Sequence, residues 1–420
     1  MTGGDVWEER RALLEEARDA LGDCVSPLRV RVTAKLADVL AGLEPGPRVA
    51  ALSREVLRTA VQLGNDAGLA AALHARHQAL AMPAHAGERA ELARRVVERS
   101  ESASATTWAM IGRLDRLADL VELGDMVRFD AEFAAYAGAA RELRRPHDLW
   151  RAAVMRAMRA LFDGRLDVGA TLADEASELG DRLQQPGAPL AHAVQVFTVW
   201  WHQGRAGELA DAARSWSLTA PAVATWRAAV ALTRAEAGDK DDARDELARL
   251  TAQRCVAVPR DNMWLATLSF AAEAAWLAGD SEAAAHLHPL LVPHAAANVT
   301  VGAAAAFGAA GRTAGLAAAA AGELDAAVAL LDAAVGANRR MGSPLWEATA
   351  RRDLAEVLWR RAAAGDAERS HELAAEAAAT AERLDLGRLA EMAAAHPPPL
   401  PAVASHPGVA EARSVASASG

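Results

Sequence analysis

Glycine returns along this 420-residue chain at a nearly fixed distance. Gly124, Gly164, Gly204, Gly238, Gly279, Gly322 and Gly365 are each followed by a charged residue, and the intervals between them are 40, 40, 34, 41, 43 and 43 residues. Self-similarity at a period of this size marks a helical solenoid. Proline follows in step. Pro146, Pro186 and Pro344 stand 22 residues after their glycines, Pro259 stands 21 after and Pro221 stands 17 after.

The physical reading is direct. Glycine takes the left-handed conformation that ends one helix. An Asp after it can cap the next helix by accepting free N–H groups. That helix runs until a proline-marked loop stops it. Each unit is then a hairpin of two helices, A and B, with glycine in the A–B turn. About nine such hairpins fit between residues 5 and 393, the N-terminal ones less regular.

The helical period fits inside the units. Leu324, Val328, Leu331 and Val335 form one stripe after Gly322, and Val49, Leu52, Val56 and Leu63 form another after Pro47. The chain is 52% hydrophobic but only 4% aromatic, so its apolar content is mostly Ala, Leu and Val. Ala and Leu favour helix, and small side chains let neighbouring helices approach closely. The expectation is an all-α, right-handed superhelical solenoid over residues 1–393, with no sheet. Trp150, Trp226, Trp264 and Trp346 fall two to five residues after a loop proline, where they are expected to wedge between successive repeats. Residues 394–420 are rich in Pro, Ala and Ser and are expected to be disordered. Within them Pro397 to Pro401 reads as a linker or a polyproline ligand.

Bulk properties exclude several classes. A formal charge of −10 and an isoelectric point near 5.7 argue against a nucleic-acid binder, which carries a basic face. Cys24 and Cys255 are too few for a disulfide framework. The N-terminal stretch lacks the basic and apolar regions of a signal peptide. Ala283 to Gly311 holds no Asp, Glu, Lys or Arg, but Pro289, Pro293 and three histidines break it as a membrane span. A cytoplasmic protein is expected.

The turn pattern resembles the tetratricopeptide repeat. That family places small residues five and twelve positions after the turn glycine. Ala327 and Ala334 stand there after Gly322, and Ala243 stands at the first position after Gly238. The period here is nearer 40 and the proline comes later, so the array is a long-helix relative of that pattern. Most of the chain, and most specifically residues 255 to 385 through PRDNMWLATLSFAAEAAWLAGD, NVTVG, GELDAAVALLDAAVGANRRMGSPLW and ATARRDLAEVLWRR, also resembles the C-terminal helical region of large actinobacterial ATP-dependent regulators. These are LuxR-type transcriptional activators and ATPase-linked adenylate cyclases. The resemblance implies an array that senses a ligand or partner. It does not bring their catalysis or DNA binding, because the chain has no GxxxxGK[ST] loop, cyclase domain or helix-turn-helix. The stretch Gly302 to Gly315 is glycine-rich but reads as helix. The chain is thus either a stand-alone array or the regulatory array of a larger ATPase-dependent activator or cyclase.

Candidate chemistry is sparse. His74 and His77 share one helix face, yet no Cys or carboxylate pattern completes a metal set. His286, His288 and His294 read as loop residues. The acidic run Asp239, Asp241, Asp242 and Asp245 suits a helix start rather than a calcium loop. Asn298-Val299-Thr300 has the form of a glycosylation sequon only. No catalytic, cofactor or metal residue is assigned. The expected function is a non-catalytic interaction or sensory module that takes a peptide, protein partner or small effector in its concave face, with self-association possible. Arg227, Arg234, Trp264, Glu273, Arg312 and Arg351 are the residues expected to face that groove. The competing reading is that Trp264 packs between repeats and the arginines pair with local acids.

Overall fold

The computed structural model describes residues 3–43, 46–102, 105–219, 224–255 and 258–395. The expected tail at 394–420 lies almost wholly outside them, and so does Pro221. The first helices are α1 (Gly3–Ala20), α2 (Pro27–Leu43), α3 (Pro47–Leu63), α4 (Asp66–Gln78), α5 (Ala86–Ser102), α6 (Thr106–Glu122) and α7 (Met126–Leu143). Next come α8 (Pro146–Phe162), α9 (Leu166–Arg182), α10 (Ala188–His202), α11 (Ala206–Thr219), α12 (Ala224–Glu236) and α13 (Lys240–Thr251). The last are α14 (Trp264–Ala278), α15 (Ser281–Leu291), α16 (Gly311–Ala320), α17 (Leu324–Met341), α18 (Pro344–Arg361), α19 (Asp366–Leu384) and α20 (Gly387–Ala394).

The even-numbered helices α2 to α18 are A helices, and each forms a hairpin with the odd-numbered helix after it. Every B helix packs back on the next A helix, so the chain is a tandem array of helix hairpins with α1 before it and α20 closing it. The turn glycines do what the spacing requires: all seven adopt positive φ, from 68° at Gly279 to 90° at Gly238. Asp125 and Asp280 cap the next helices by accepting the N–H of Arg128 and Ala283 at 3.1 and 2.9 Å. Pro27, Pro47, Pro146 and Pro344 open helices rather than sit in loops, in the first turn where a missing N–H costs nothing. Val328, Leu331 and Val335 are buried along α17, as are Val49, Leu52 and Val56 along α3.

Large aromatics fill the joints between units. Trp150, Trp226, Trp264 and Trp346 are all buried. The indole of Trp150 lies against Gly180 of its own hairpin and against Gly187 at the start of the next, where a Cβ would stand 3.0 Å from the ring. Trp226 of α12 packs against Phe197 of α10, with centroids 6.4 Å apart.

One element departs from expectation. Strands β1 (Asn298–Val301) and β2 (Ala305–Ala309) form an antiparallel hairpin between α15 and α16, pairing Thr300 with Ala306 and Val301 with Ala305. The expected absence of sheet and the expected helix over Gly302–Gly315 are both corrected here; helix begins only at Gly311. Every residue of both strands is buried. The hairpin touches the A helices α6, α8, α10, α14, α16 and α18, together with the B helix α17, so it lies mainly against the A-helix side of the array.

The array also curls until its end meets its middle. Ser343, just before α18, donates to the carbonyl of Phe162 in α8 at 2.6 Å, and Asn298 donates to the carbonyl of Val121 in α6 at 2.8 Å. Asn298 is therefore fully buried inside the array. Among the described residues no helix is long and apolar enough to cross a membrane.

Candidate functional site

Behind the strand hairpin, A helices α10 to α18 and the closing helix α20 enclose an ionic and aromatic centre. Arg312 of α16 bridges Glu273 of α14 and Asp353 of α18, the latter at 2.7 Å. Arg388 of α20 donates to Glu236 of α12 at 2.7 Å and to Glu273 at 2.9 Å. Arg352 adds a third cation, 3.5 Å from Asp353, so three arginines face three carboxylates. Burial would push the Glu273 carboxyl up, but Arg312 and Arg388 hold it below its usual range. His202, beside them, is driven well below an ordinary histidine by burial and by the same two cations, so it is neutral. Phe197, Trp201, Phe270, Phe307 and Trp346 close around this centre. Between Phe197, Trp226, Phe270 and Phe307 remains a cavity of about 10 Å³, room for one water at most. The ionic cluster ties α12, α14, α16, α18 and α20 to one another.

Three of the residues expected to face an open groove belong to this closed interior. Glu273 and Arg312 are each 2% exposed and are partners in the cluster. Trp264 is 3% exposed, set edge-on to His294 at 5.5 Å with the Arg260 guanidinium over its ring. Glu273 and Arg312 are closed in by each other, Asp353 and Arg388, and the A-helix side around them is packed by the strand hairpin and α20. Arg351 is half-buried and pairs with Glu347 at 2.6 Å and Glu376 at 3.0 Å. Arg227 and Arg234 are different. With Arg214 and Arg249 they line an open polar hollow of about 330 Å³ between α11, α12 and α13, opposite Asp242, Asp245 and Glu246. That hollow lies beside B helices rather than on the concave face. Arg227 stands 3.7 Å from Glu246, and Arg234 stands 3.1 Å from Asp239.

The concave face is open at the other end. Helices α2, α4 and α6, with Leu14 of α1, line a hollow of about 600 Å³. Its side walls are Leu14, Leu28, Val32, Trp108 and Ile111, with Arg31, Lys35 and Asp38 along α2. Its floor is shallow in side chains because α4 presents Ala67, Gly68 and Ala71 there. At the inner end the three helices are tied by His74, whose Nδ1 lies 2.6 Å from Asp115 of α6 and whose Nε2 lies 3.8 Å from Asp38 of α2. Burial works against a charged His74, yet Asp115 and Asp38 outweigh it and raise its pKa, with Lys35 opposing them. The polar chain continues inward. His77, stacked parallel to His74 at 6.4 Å, meets Asp119 at 2.8 Å. Asp119 accepts from Arg89, which also pairs with Glu122 and donates to the carbonyls of Leu80 and Met82.

The histidines noted in the sequence thus have carboxylate partners from the next repeat. The sequence carried the signal: His74 and Asp115 are 41 residues apart, one period, and His77 and Asp119 are 42 apart. His286 and His288, expected in a loop, lie in α15, and His294 lies in a short 3₁₀ turn. Asp239 stands at the start of α13 without a side-chain cap bond. Cys24 is exposed and Cys255 is buried, both as free thiols.

The fold and this geometry define an all-α protein of tandem helix hairpins. No family model matches the chain, and no curated protein matches it. Among solved structures the chain is similar to a protein described as "Circular tandem repeat protein with novel repeat topology and enhanced subunit contact surfaces". The likeness covers 93% of this chain and 87% of that one at 16% identity, with a TM-score of 0.17. At that TM-score it adds nothing to what the helices themselves show.

Proposed function

We propose that this chain is a non-catalytic interaction module that takes its partner or effector in the hollow between α2, α4 and α6. The observation that carries this reading is the uneven filling of the concave face. From α6 onward the chain's own strand hairpin and α20 pack on it, whereas at the N-terminal end about 600 Å³ stays open beside α2, α4 and the start of α6. Helical-repeat arrays bind through such concave surfaces. The resemblance of residues 255–385 to sensor arrays supports a place in a cytoplasmic bacterial regulatory system. Joined to an ATPase domain, the same array would serve as the regulatory part of a larger activator or cyclase.

Arg227 and Arg234 are the two of the six sequence-assigned residues that solvent reaches most readily in a hollow, and they are proposed as a secondary contact for an acidic partner. The test is capture from native cell extract by the purified chain and by Ala67→Phe, which fills the first hollow. A partner retained by the wild type and lost with Ala67→Phe supports the reading. A partner held equally by both places binding elsewhere, and saturable ATP turnover by the pure chain would replace the reading altogether.

A further inference from the structure

The hollow has a chemical character of its own, which rests on the interaction reading and deepens it. Its α2 wall alternates apolar and basic groups. Leu28 and Val32 lie one turn apart, as do Arg31 and Lys35 beside them, so an apolar stripe runs alongside a cationic one. Trp108 and Ile111 of α6 complete the apolar wall opposite.

The charges do not cancel. Lys35 is engaged by Asp38, and His74 is engaged by Asp115. Arg31 is exposed and, among the described residues, makes no ion pair or hydrogen bond. One cation is therefore left over on the wall of a mainly apolar recess whose other charged groups are paired. A guanidinium in that state presents a planar pair of donors suited to a carboxylate.

The shape selects the size of the occupant. The bridge from Asp38 through His74 to Asp115 closes the inner end. The lined stretch of α2, Pro27 to Asp38, spans about 16 Å at the helical rise. A volume of about 600 Å³ lies within the ~300–1,000 Å³ of small-molecule sites.

We infer that the hollow binds a small amphipathic carboxylate. Its apolar body rests on Leu28, Val32, Trp108 and Ile111, and its head group meets Arg31 with Lys35 beside it. The alanines and glycine of α4 are the recognition feature that leaves room for that body. Ala67 is exposed, so enlarging it fills the recess from the solvent side without disturbing the core.

The test is calorimetric titration of the full chain with decanoate, and with decyltrimethylammonium, which carries the same apolar body and the opposite charge. Decanoate is expected to bind at one site, at least about tenfold tighter than the cation. Arg31→Gln should lower decanoate affinity by about tenfold and leave the cation unchanged. Ala67→Phe should abolish decanoate binding while the thermal melt followed by circular dichroism stays in place. Equal binding of the two probes, or decanoate affinity unaffected by Arg31→Gln, overturns the assignment. So does decanoate binding that survives Ala67→Phe. If decanoate fails to bind while a partner is captured from extract in an Ala67-dependent way, the carboxylate assignment falls and the interaction reading stands. If decanoate binds as described and no partner is captured, the hollow is an effector site.

Discussion

The Arg312 guanidinium and the Asp353 carboxylate meet at 2.7 Å across 41 residues, which is one repeat. Glu273 lies 39 residues before Arg312 and is bonded to its other nitrogen. Three successive A helices thus place an ionised side chain at an equivalent point and alternate its sign. All three groups are at most 2% exposed.

Breaking this ladder strands a buried charge. Arg312→Met is expected to cost about 3–5 kcal/mol, the usual penalty for removing one partner of a buried pair. Arg312→Met combined with Asp353→Leu should cost less than the sum of the two single changes, because each single variant leaves an uncompensated ion. Urea unfolding of the four proteins measures this; strict additivity would show that the pair is not coupled.

Stability should fall on both sides of a pH near 6.5, the ordinary histidine value. The native pKa of His74 is raised, so the folded state keeps a proton that the unfolded chain releases above that value. Its contribution is complete below 6.5 and lost as pH rises through the raised value. His202 is the reverse. Its native pKa is lowered, so below 6.5 the unfolded chain takes up a proton that the folded state refuses, and stability falls with pH. Urea titrations from about pH 5 to 9 test this. His74→Gln should flatten the alkaline limb, and His202→Phe should flatten the acidic one.

The strand hairpin should be intolerant at one glycine. Gly308 has φ of +77°, and a Cβ there would lie 2.8 Å from Trp346 and 2.9 Å from the Asn338 side-chain oxygen. Gly308→Ala is expected to cost more than about 2 kcal/mol, combining backbone strain with a clash against the core. Gly322→Ala has similar φ, +88°, but open space around it, and should cost only the strain, about 1–2 kcal/mol. Paired thermal melts separate the two contributions; equal losses would mean that the contact with Trp346 is unimportant.

Arg227→Ala with Arg234→Ala should leave the melting temperature almost unchanged. Both pair only with acids near the surface, and such changes stay within about 0.5 kcal/mol each. Weakened partner capture at unchanged stability would support the secondary contact. Loss of folding, or capture at full strength, would remove it.

Much of the architecture was legible because the turns repeat. Gly124 to Gly365 all mark chain reversals, and the stripes on α3 and α17 face inward as their spacing requires. The strand hairpin was not legible, for a specific reason. Helices α15 and α16 have 11 and 10 residues, against 18 for α17 and α18, and the residues they lack go into the insertion between them. The interval from Gly279 to Gly322 therefore stays at 43. Alanine in β2 gives no β-branched signal to set against helix.

The site was half legible. Arg312, Glu273 and Trp264 stood out as residues that an Ala-Leu scheme does not need; Arg312 and Glu273 form an internal clamp, and Trp264 packs on His294. What would have distinguished clamp from groove was already in the numbering: opposite charges one period apart face each other on neighbouring A helices. The open hollow gave no such cue. Its defining residues, Ala67, Gly68 and Ala71, are conspicuous only by lacking side chains.

The inward hairpin divides the array mechanically. A bare solenoid is a spring, and its pitch and curvature change by small rotations at every joint. Here β1 and β2 act as a pin through the coil, engaging α6, α8, α10, α14 and α16 to α18, while α20 ties the far end to α10. The joints among α2, α4 and α6, which surround the open hollow, lack that pin and are crossed instead by the Asp38–His74–Asp115 bridge. An occupant wedged there would change the pose of α1 to α5 against a stiff body, as a lever turns on a fixed frame.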